Sequence, residues 1–124
     1  MKKITLALTL IFVMLTLGGC SLTEFDGSRT GNQSQLIMDY KVLNTTDSQI
    51  LELQEGDSVD FVVTSESGAL NITLQKEDDE PIYRGIDIPT STFTVEIDKT
   101  GSYTVSVTGE NAKGGVSIVK RESN

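Results

Sequence analysis

Residues 101–108 read GSYTVSVT, so that tyrosine and valine alternate with small side chains, most of them hydroxylated. Successive side chains of an extended strand point to opposite faces, and this alternation therefore predicts a strand with one buried face and one wet face. The same period of two recurs along the chain from Leu36 onward. Its apolar positions, which we expect to form the core, are Leu36, Met38, Tyr40, Val42, Leu51, Leu53, Val59, Phe61, Val63, Leu70, Ile72, Leu74, Phe93, Val95, Ile97, Tyr103, Val105, Val107, Val116 and Ile118.

Segments with turn chemistry separate these runs. Residues 66–68 (ESG) predict a turn, and residues 111–115 (NAKGG) predict a longer loop. Prolines bracket the segment 82–88, which indicates a short strand at the edge of a sheet. No segment has the 3.6-residue period of an amphipathic helix. Residues 36–121 are therefore predicted to form an all-β domain, an antiparallel β-sandwich or jelly roll of seven to eight short strands, with an open barrel as the alternative.

The composition excludes several classes of function. The 124 residues include 10 basic and 18 acidic side chains, and the net charge of −8 argues against binding to nucleic acid. The chain has no histidine, the usual general base, and its single cysteine allows no internal disulfide. Catalysis would depend on carboxylates, and we expect no enzyme because spacing singles out no pair. The carboxylates considered are Asp57, Asp60, Asp87, Glu96 and Asp98.

The N-terminus has the pattern of an export signal. Two lysines precede the largely apolar stretch 4–17, which is shorter than the roughly 20 residues that span a bilayer. The sequence that follows, Leu17-Gly18-Gly19-Cys20, resembles the lipobox of bacterial lipoproteins. The resemblance implies a signal peptide over residues 1–19, cleavage between Gly19 and Cys20, and a diacylglyceryl group with acyl chains such as palmitate on Cys20. The alternatives are an ordinary signal peptide and a retained helix with a buried thiol.

Lipidation would fix the location of the protein. The lipid on Cys20 implies attachment to the extracytoplasmic face of the cell membrane or, in a bacterium that has one, of the outer membrane. Residues 20–35 are polar, contain glycine and lack periodicity, and we expect them to form a flexible tether with an r.m.s. span of roughly 20 Å. The predicted organisation is therefore a signal peptide, a lipidated tether and one β-domain.

Several stretches resemble the bacterial pre-peptidase C-terminal domain, namely residues 53–59, 70–74, 92–97, 100–107 and 115–118. That family has a jelly-roll-like β-sandwich and usually accompanies secreted peptidases and other exported enzymes as an accessory module. The resemblance implies an accessory role. The lipobox, the missing catalytic residue types and the strand pattern together predict a non-catalytic binding or interaction module, whose partner would be a protein or a glycan of the cell envelope.

Two alternatives assign a ligand. The acidic run at 77–80 could bind calcium through Asp78, Asp79 and Glu80, which would make the protein a calcium-dependent accessory module. The run lacks the spacing of a calcium loop, and a solvated hairpin whose charges discourage edge pairing explains it as well. No cofactor is otherwise expected.

The second alternative is a carbohydrate-binding envelope protein that stacks sugars on tyrosines. Tyr40 and Tyr103 are in phase with the core, however, and only Tyr83 is predicted to be exposed. The chain has no tryptophan, so the sequence signal for sugar binding is weak.

Overall fold

The structure, a computed structural model, describes residues 23–123. The predicted signal peptide and the lipid acceptor Cys20 lie outside the described residues. Within the described residues the chain forms seven antiparallel strands and no helix. This part of the chain therefore contains no helix that is long and apolar enough to cross a membrane. The strands are β1 (Phe25–Asn32), β2 (Gln35–Leu43), β3 (Thr46–Leu53), β4 (Ser58–Lys76), β5 (Pro81–Gly85), β6 (Ser91–Glu96) and β7 (Gly101–Arg121).

Two long strands, β4 and β7, organise the fold. They pair with each other along their whole length and bend together near the middle, so that each contributes to two layers. Layer A has the order β1-β2-β7-β4-β6 and uses the C-terminal half of β7 and the N-terminal half of β4. Layer B has the order β3-β7-β4-β5 and uses the other halves. The predicted all-β antiparallel sandwich is confirmed.

The bends lie where the sequence predicted a turn and a loop. Residues 66–68 are part of β4 and residues 111–115 are part of β7, so neither segment reverses the chain. The β4–β7 register shifts on both sides of Ser67, and Gly68 has a φ of 75°. A Cβ atom on Gly114 would collide with the Thr64 carbonyl. Glycine is favoured both in a bulge that bends a strand and in a hairpin turn. The local sequence therefore does not distinguish a bent strand from a turn.

The segment predicted as a tether contains a strand. β1 pairs with β2 from Phe25↔Leu43 to Asn32↔Gln35, and the tether prediction is wrong for residues 25–32. All eight residues of β1 are exposed, so the strand has no buried face to impose a period of two. Its pairing rests on backbone hydrogen bonds, which the sequence pattern does not reveal.

The core lies between the two layers and is built from the apolar positions that the alternation predicts. The fully buried members include Leu36, Phe61, Ile72, Val105 and Ile118. One position is wrong, because Val42 does not pack with the core cluster, whereas its neighbour Leu43 is buried in it; Phe93 and Val95 are half-buried but pack against the core. The β2–β7 register shifts between Tyr40 and Leu43, which exchanges the faces of the last residues of β2. The predicted edge strand is β5, which begins at Pro81 and pairs with β4.

Candidate binding cleft

The sandwich has two different ends because β4 and β7 each bend near the middle and pass from one layer to the other. One end, here called the bend end, contains the start of β1, the 44–45 connection, the bends of β4 and β7, and the 86–90 loop. Hydrogen bonds join these segments, for example from Asn44 N–H to the Glu24 carbonyl (2.7 Å) and from Ile88 N–H to the Leu70 carbonyl (2.8 Å). The opposite end, the turn end, contains the connections 33–34, 54–57, 77–80 and 97–100.

A concave surface lies at the turn end. It is a cleft of about 510 Å³ between the 77–80 and 97–100 connections, on the side of the sandwich where β5 and β6 are the edge strands. Side chains from β4, β5, β6 and β7 and from both connections contribute to it. The lining residues are Lys76, Asp79, Glu80, Ile82, Val95, Glu96, Asp98, Lys99 and Tyr103.

Apolar and aromatic side chains line the inner part of the cleft. Tyr103 is 2% exposed and Val95 is half-buried, whereas Ile82 remains 46% exposed. The Tyr103 hydroxyl donates a hydrogen bond of 2.7 Å to the Lys99 carbonyl, which fixes the 97–100 connection against β7. Burial raises the pKa of the Tyr103 phenol, and the negative charges of Asp98 and Asp79 raise it further. The Tyr103 phenol is therefore neutral at physiological pH. The carboxylates of Asp79 and Asp98 both lie close enough to Tyr103 to affect its pKa.

The charged residues of the cleft are mostly acidic. Four carboxylates and two lysines line it, and one of these lysines, Lys76, lies 3.9 Å from the Glu77 carboxylate just outside the cleft. The tight 77–80 connection presents the acidic side chains: Glu77 has a φ of 48°, and Asp79 N–H donates to the Lys76 carbonyl (2.9 Å). The cleft thus combines an apolar interior with an excess of negative charge at its mouth.

The predicted calcium candidates are only partly brought together. Asp79 and Glu80 line the cleft, whereas Asp78 is exposed and is not part of the lining. Across residues 23–123, no group of three or more His, Cys, Asp or Glu side chains is arranged to hold a metal ion. Because Ca²⁺ takes six to eight oxygen ligands, the described arrangement does not form a calcium cage.

The carboxylates considered for catalysis are scattered over the fold. Asp57 is buried, and its Oδ2 accepts a hydrogen bond from Gln54 N–H (2.8 Å), so it stabilises the 54–57 connection. Asp60 accepts a hydrogen bond from the Thr94 hydroxyl (2.8 Å) on the outer face of layer A. Asp87 lies in the 86–90 loop at the bend end. Of the candidates, only Glu96, at the end of β6, and Asp98, in the connection after it, line the cleft.

The three tyrosines pack in or against the core. Tyr40 and Tyr103 are buried, as predicted. The prediction that Tyr83 is exposed is wrong: its ring is half-buried, and its centroid lies 4.9 Å from that of Phe93 and 5.6 Å from that of Phe61. The register shift between Leu74 and Gln75 on β4 is opposite the start of β5, and Tyr83 points inward. The three rings therefore form no exposed surface for stacking sugars.

The pattern of the sequence does not predict the cleft. Ile82 and Val95 are ordinary strand residues in the sequence, and no spacing links them to each other or to Asp98. They meet because β5 and β6 pair with opposite halves of the same bent strand, β4. The one usable signal was the density of acidic residues at 77–80.

No protein-family model matches this sequence, and no curated protein matches it significantly. Solved structures with a similar fold include a periplasmic inhibitor of g-type lysozyme from Aeromonas hydrophila, with 10% identity, a TM-score of 0.49, and coverage of 82% of this chain and 92% of that one. A CBM4 structure has 10% identity, a TM-score of 0.43 and coverage of 84% and 83%. A carbohydrate-binding module from the Cellvibrio mixtus lichenase 5A, in complex with cellotriose, has 14% identity, a TM-score of 0.37 and coverage of 85% and 92%. At these values, the similarity carries no argument about the ligand of this chain.

Proposed function

We propose that the protein is a lipid-anchored extracytoplasmic binding module without catalytic activity, which presents the cleft at its turn end to a partner in the cell envelope. The observation that carries the proposal is the arrangement of the two ends. β1 begins at Phe25, five residues after the lipobox cysteine, and it begins at the bend end, whereas the cleft lies at the opposite end.

Simple lengths support this orientation. The residues between Cys20 and Phe25 reach at most about 18 Å when fully extended, so a lipid on Cys20 keeps the bend end close to the membrane. An eight-residue strand such as β1 rises about 26 Å from one end of the sandwich to the other. The cleft would therefore face away from the membrane, where it is accessible to a partner.

The acidic charge of the turn end does not favour its contact with an anionic membrane. The turn end carries the acidic run at 77–80, and Glu96 and Asp98 lie beside it. An anionic membrane surface repels this end, and protein charge alone provides no attachment to such a surface. Acyl chains supply the attachment instead, at about 0.8 kcal/mol for each buried methylene.

Among the described residues the candidate carboxylates form no assembled pair, which supports a binding role. The sequence has no histidine, and the candidate carboxylates are distributed over separate parts of the fold. The pre-peptidase resemblance also implies an accessory rather than a catalytic role. Within residues 23–123, no arrangement of side chains supports calcium dependence or sugar binding. A melting temperature that does not change in millimolar Ca²⁺ would eliminate the first alternative, and one that does not change in cello-oligosaccharide would count against the second.

The membrane anchor is tested by intact mass spectrometry of the full chain purified from bacterial membranes. The wild-type protein should lack residues 1–19 and carry the added mass of a diacylglyceryl group. Cys20→Ala should retain residues 1–19 and carry no lipid, whereas the matched variant Ser21→Ala should behave as the wild type. A wild-type protein without lipid, or a lipidated Cys20→Ala, contradicts the proposal.

A further inference from the structure

The sandwich has four edge strands, and three of them carry features that discourage pairing with another chain. An unprotected edge offers a row of free N–H and C=O groups, which proteins usually block with charged side chains, proline, bulges or short strands. β5 is short, begins with Pro81 and is opposite a register shift. β1 contains two glycines and a register shift between Asp26 and Gly27.

The edges of β1 and β3 also protect each other. Arg29 of β1 reaches across to β3, where its Nε donates to the Asp47 carboxylate (2.8 Å). One Nη of the same guanidinium donates to the Ser48 carbonyl and to the Gln49 side-chain oxygen, both at 3.0 Å. This Arg29 clamp covers the side of the sandwich formed by β1 and β3.

β6 has neither proline, bulge nor clamp at its edge, and of the protective features it has only a short length and one charged side chain, Glu96. Its sequence, STFTVE, contains no proline, glycine or basic residue. It pairs with β4 in a continuous register and, within the described part of the chain, with no other strand. Just after β6, Ile97 N–H donates to the Asp57 carbonyl (2.9 Å), toward β4. Because hydrogen-bonding direction alternates along an antiparallel strand, the backbone groups of Thr92, Thr94 and Glu96 point to the free edge.

The side chains next to this edge are incompletely covered. Phe93 and Val95 face the core from β6 but are only half-buried. Tyr83 of β5 lies beside them and is also half-buried. The Phe93 ring stacks on Phe61, with centroids 4.7 Å apart. An additional strand on β6 would cover this apolar surface with every second side chain.

The cleft adds a preference for positive charge. Glu96 ends β6 and Asp98 follows it, and Asp79 and Glu80 face them from the other side of the cleft. A basic side chain on an added strand would reach these carboxylates while its aliphatic stem contacts Ile82. Lys99 also lines the cleft, so the attraction depends on the acidic majority.

We propose that β6 and the adjoining cleft bind an extended basic segment of a partner protein by strand addition, with apolar side chains on Phe93 and Val95 and basic side chains at Glu96 and Asp98. This inference rests on the proposed binding function and names its partner class. A polypeptide fits better than a glycan because the free backbone groups of β6 repeat with the spacing of a paired strand.

The test uses the mature lipidated protein in detergent micelles and a fluorescent, end-blocked nine-residue peptide of alternating lysine and valine. Three companion peptides act as controls: one with glutamate in place of lysine, one with the same residues in a non-alternating order, and one with alternate backbone nitrogens methylated. Anisotropy titrations at 0.15 M salt should show binding of the alternating basic peptide alone. Equal binding of the methylated peptide, or no binding of any peptide, overturns the inference.

Two pairs of protein variants locate the site. Thr94→Pro blocks the free edge of β6, and the matched variant Thr94→Val removes the same hydroxyl but leaves the backbone intact. We expect Thr94→Pro to weaken binding by about tenfold or more, and Thr94→Val to bind as the wild type. The double variant Glu96→Gln, Asp98→Asn should weaken binding by about tenfold, whereas the double variant Glu66→Gln, Glu110→Gln at the distant bend end should not.

The outcomes separate this inference from the anchor. If Thr94→Pro binds as well as Thr94→Val, strand addition at β6 is wrong, whatever the lipid state of the protein. If Thr94→Pro fails to fold, the methylated peptide decides the same question on the wild-type protein. The mass of each protein preparation reports lipidation independently of peptide binding. A wild-type protein that binds the peptide but carries no lipid would contradict the proposed anchor and leave strand addition supported.

Discussion

On the side of the sandwich formed by β1 and β3, the two layers are connected by the exposed Arg29 clamp, and side chains of β1 contribute nothing to the buried core. On the side formed by β5 and β6, the layers are connected by the rings of Tyr83 and Phe93, and the cleft opens beside them. The first side is closed by polar contacts and the second by partly buried aromatic packing.

The difference shows that edge protection and stability are separate properties. An exposed ion pair contributes little to folding, typically up to about 1 kcal/mol, but it occupies the edge and excludes a competing strand. Aromatic packing contributes several times more, but it leaves the backbone edge of β6 free. The side that stabilises the fold more is therefore also the side that remains available to a partner.

The largest effect is expected from Phe93→Ala on the aromatic side. Removing the ring takes packing from both Phe61 and Tyr83, and we expect the free energy of unfolding to fall by about 3 kcal/mol. Urea unfolding followed by circular dichroism measures this change. Phe93→Leu, which keeps much of the buried volume, should lose less than half as much. A loss below about 1 kcal/mol for Phe93→Ala would show that the rings do not hold this side together.

A smaller effect, confined to alkaline pH, is expected from Tyr40 behind the clamped side. Burial, with a contribution from the charge of Asp39, raises the pKa of Tyr40 from 10.0 to about 12. The unfolded chain releases this proton first, so stability is unaffected below pH 10 and falls as the pH rises toward 12, by roughly 2 kcal/mol.

The comparison of wild type with Tyr40→Phe isolates this contribution. Urea unfolding at pH 8, 10 and 11.5 should give a smaller alkaline loss for Tyr40→Phe, while Tyr83 and Tyr103, whose pKa values burial also raises, keep part of it. Identical pH profiles for the two proteins would mean that water reaches the Tyr40 phenol in the folded protein.

The smallest effect is expected from Arg29→Ala on the clamped side. Its contacts are exposed, and the loss of unfolding free energy should be about 1 kcal/mol and should shrink in 1 M salt. Backbone amides of β1 should exchange faster with solvent, because the strand loses its connection to β3. Arg29→Lys keeps the charge but not the three-way contact, and it should recover less than half of the loss. A loss comparable to that of Phe93→Ala would remove the contrast between the two sides.

The sequence predicts the fold well wherever one face of a strand is buried. The alternation around Phe61, Ile72 and Val105 gives the correct inward residues, because burial on one side leaves a period of two in the composition. β1 has no buried face and leaves no such pattern. The bends at Gly68 and Gly114 have the residues of turns, and only long-range pairing of β4 with β7 shows that the chain continues through them.

The cleft could not be predicted from the sequence, for a related reason. Asp79 and Asp98 are far apart in the chain and meet through the bent β4 strand, which pairs with β5 in one layer and β6 in the other. The exposure assigned to Tyr83 failed because β5 turns its odd-numbered residues inward and leaves the apolar Ile82 exposed. Contacts that depend on the register between distant strands leave no local pattern.

Amide hydrogen exchange of the lipidated protein in micelles, measured by NMR with and without the alternating lysine–valine peptide, tests the central claim most directly. Strand addition at β6 predicts that the amides of Thr92, Thr94 and Glu96 exchange at least about tenfold more slowly when the peptide is bound, and that the β1 amides are unchanged. Protection of β1 instead of β6, or peptide binding that leaves the three β6 amides unprotected, would contradict it.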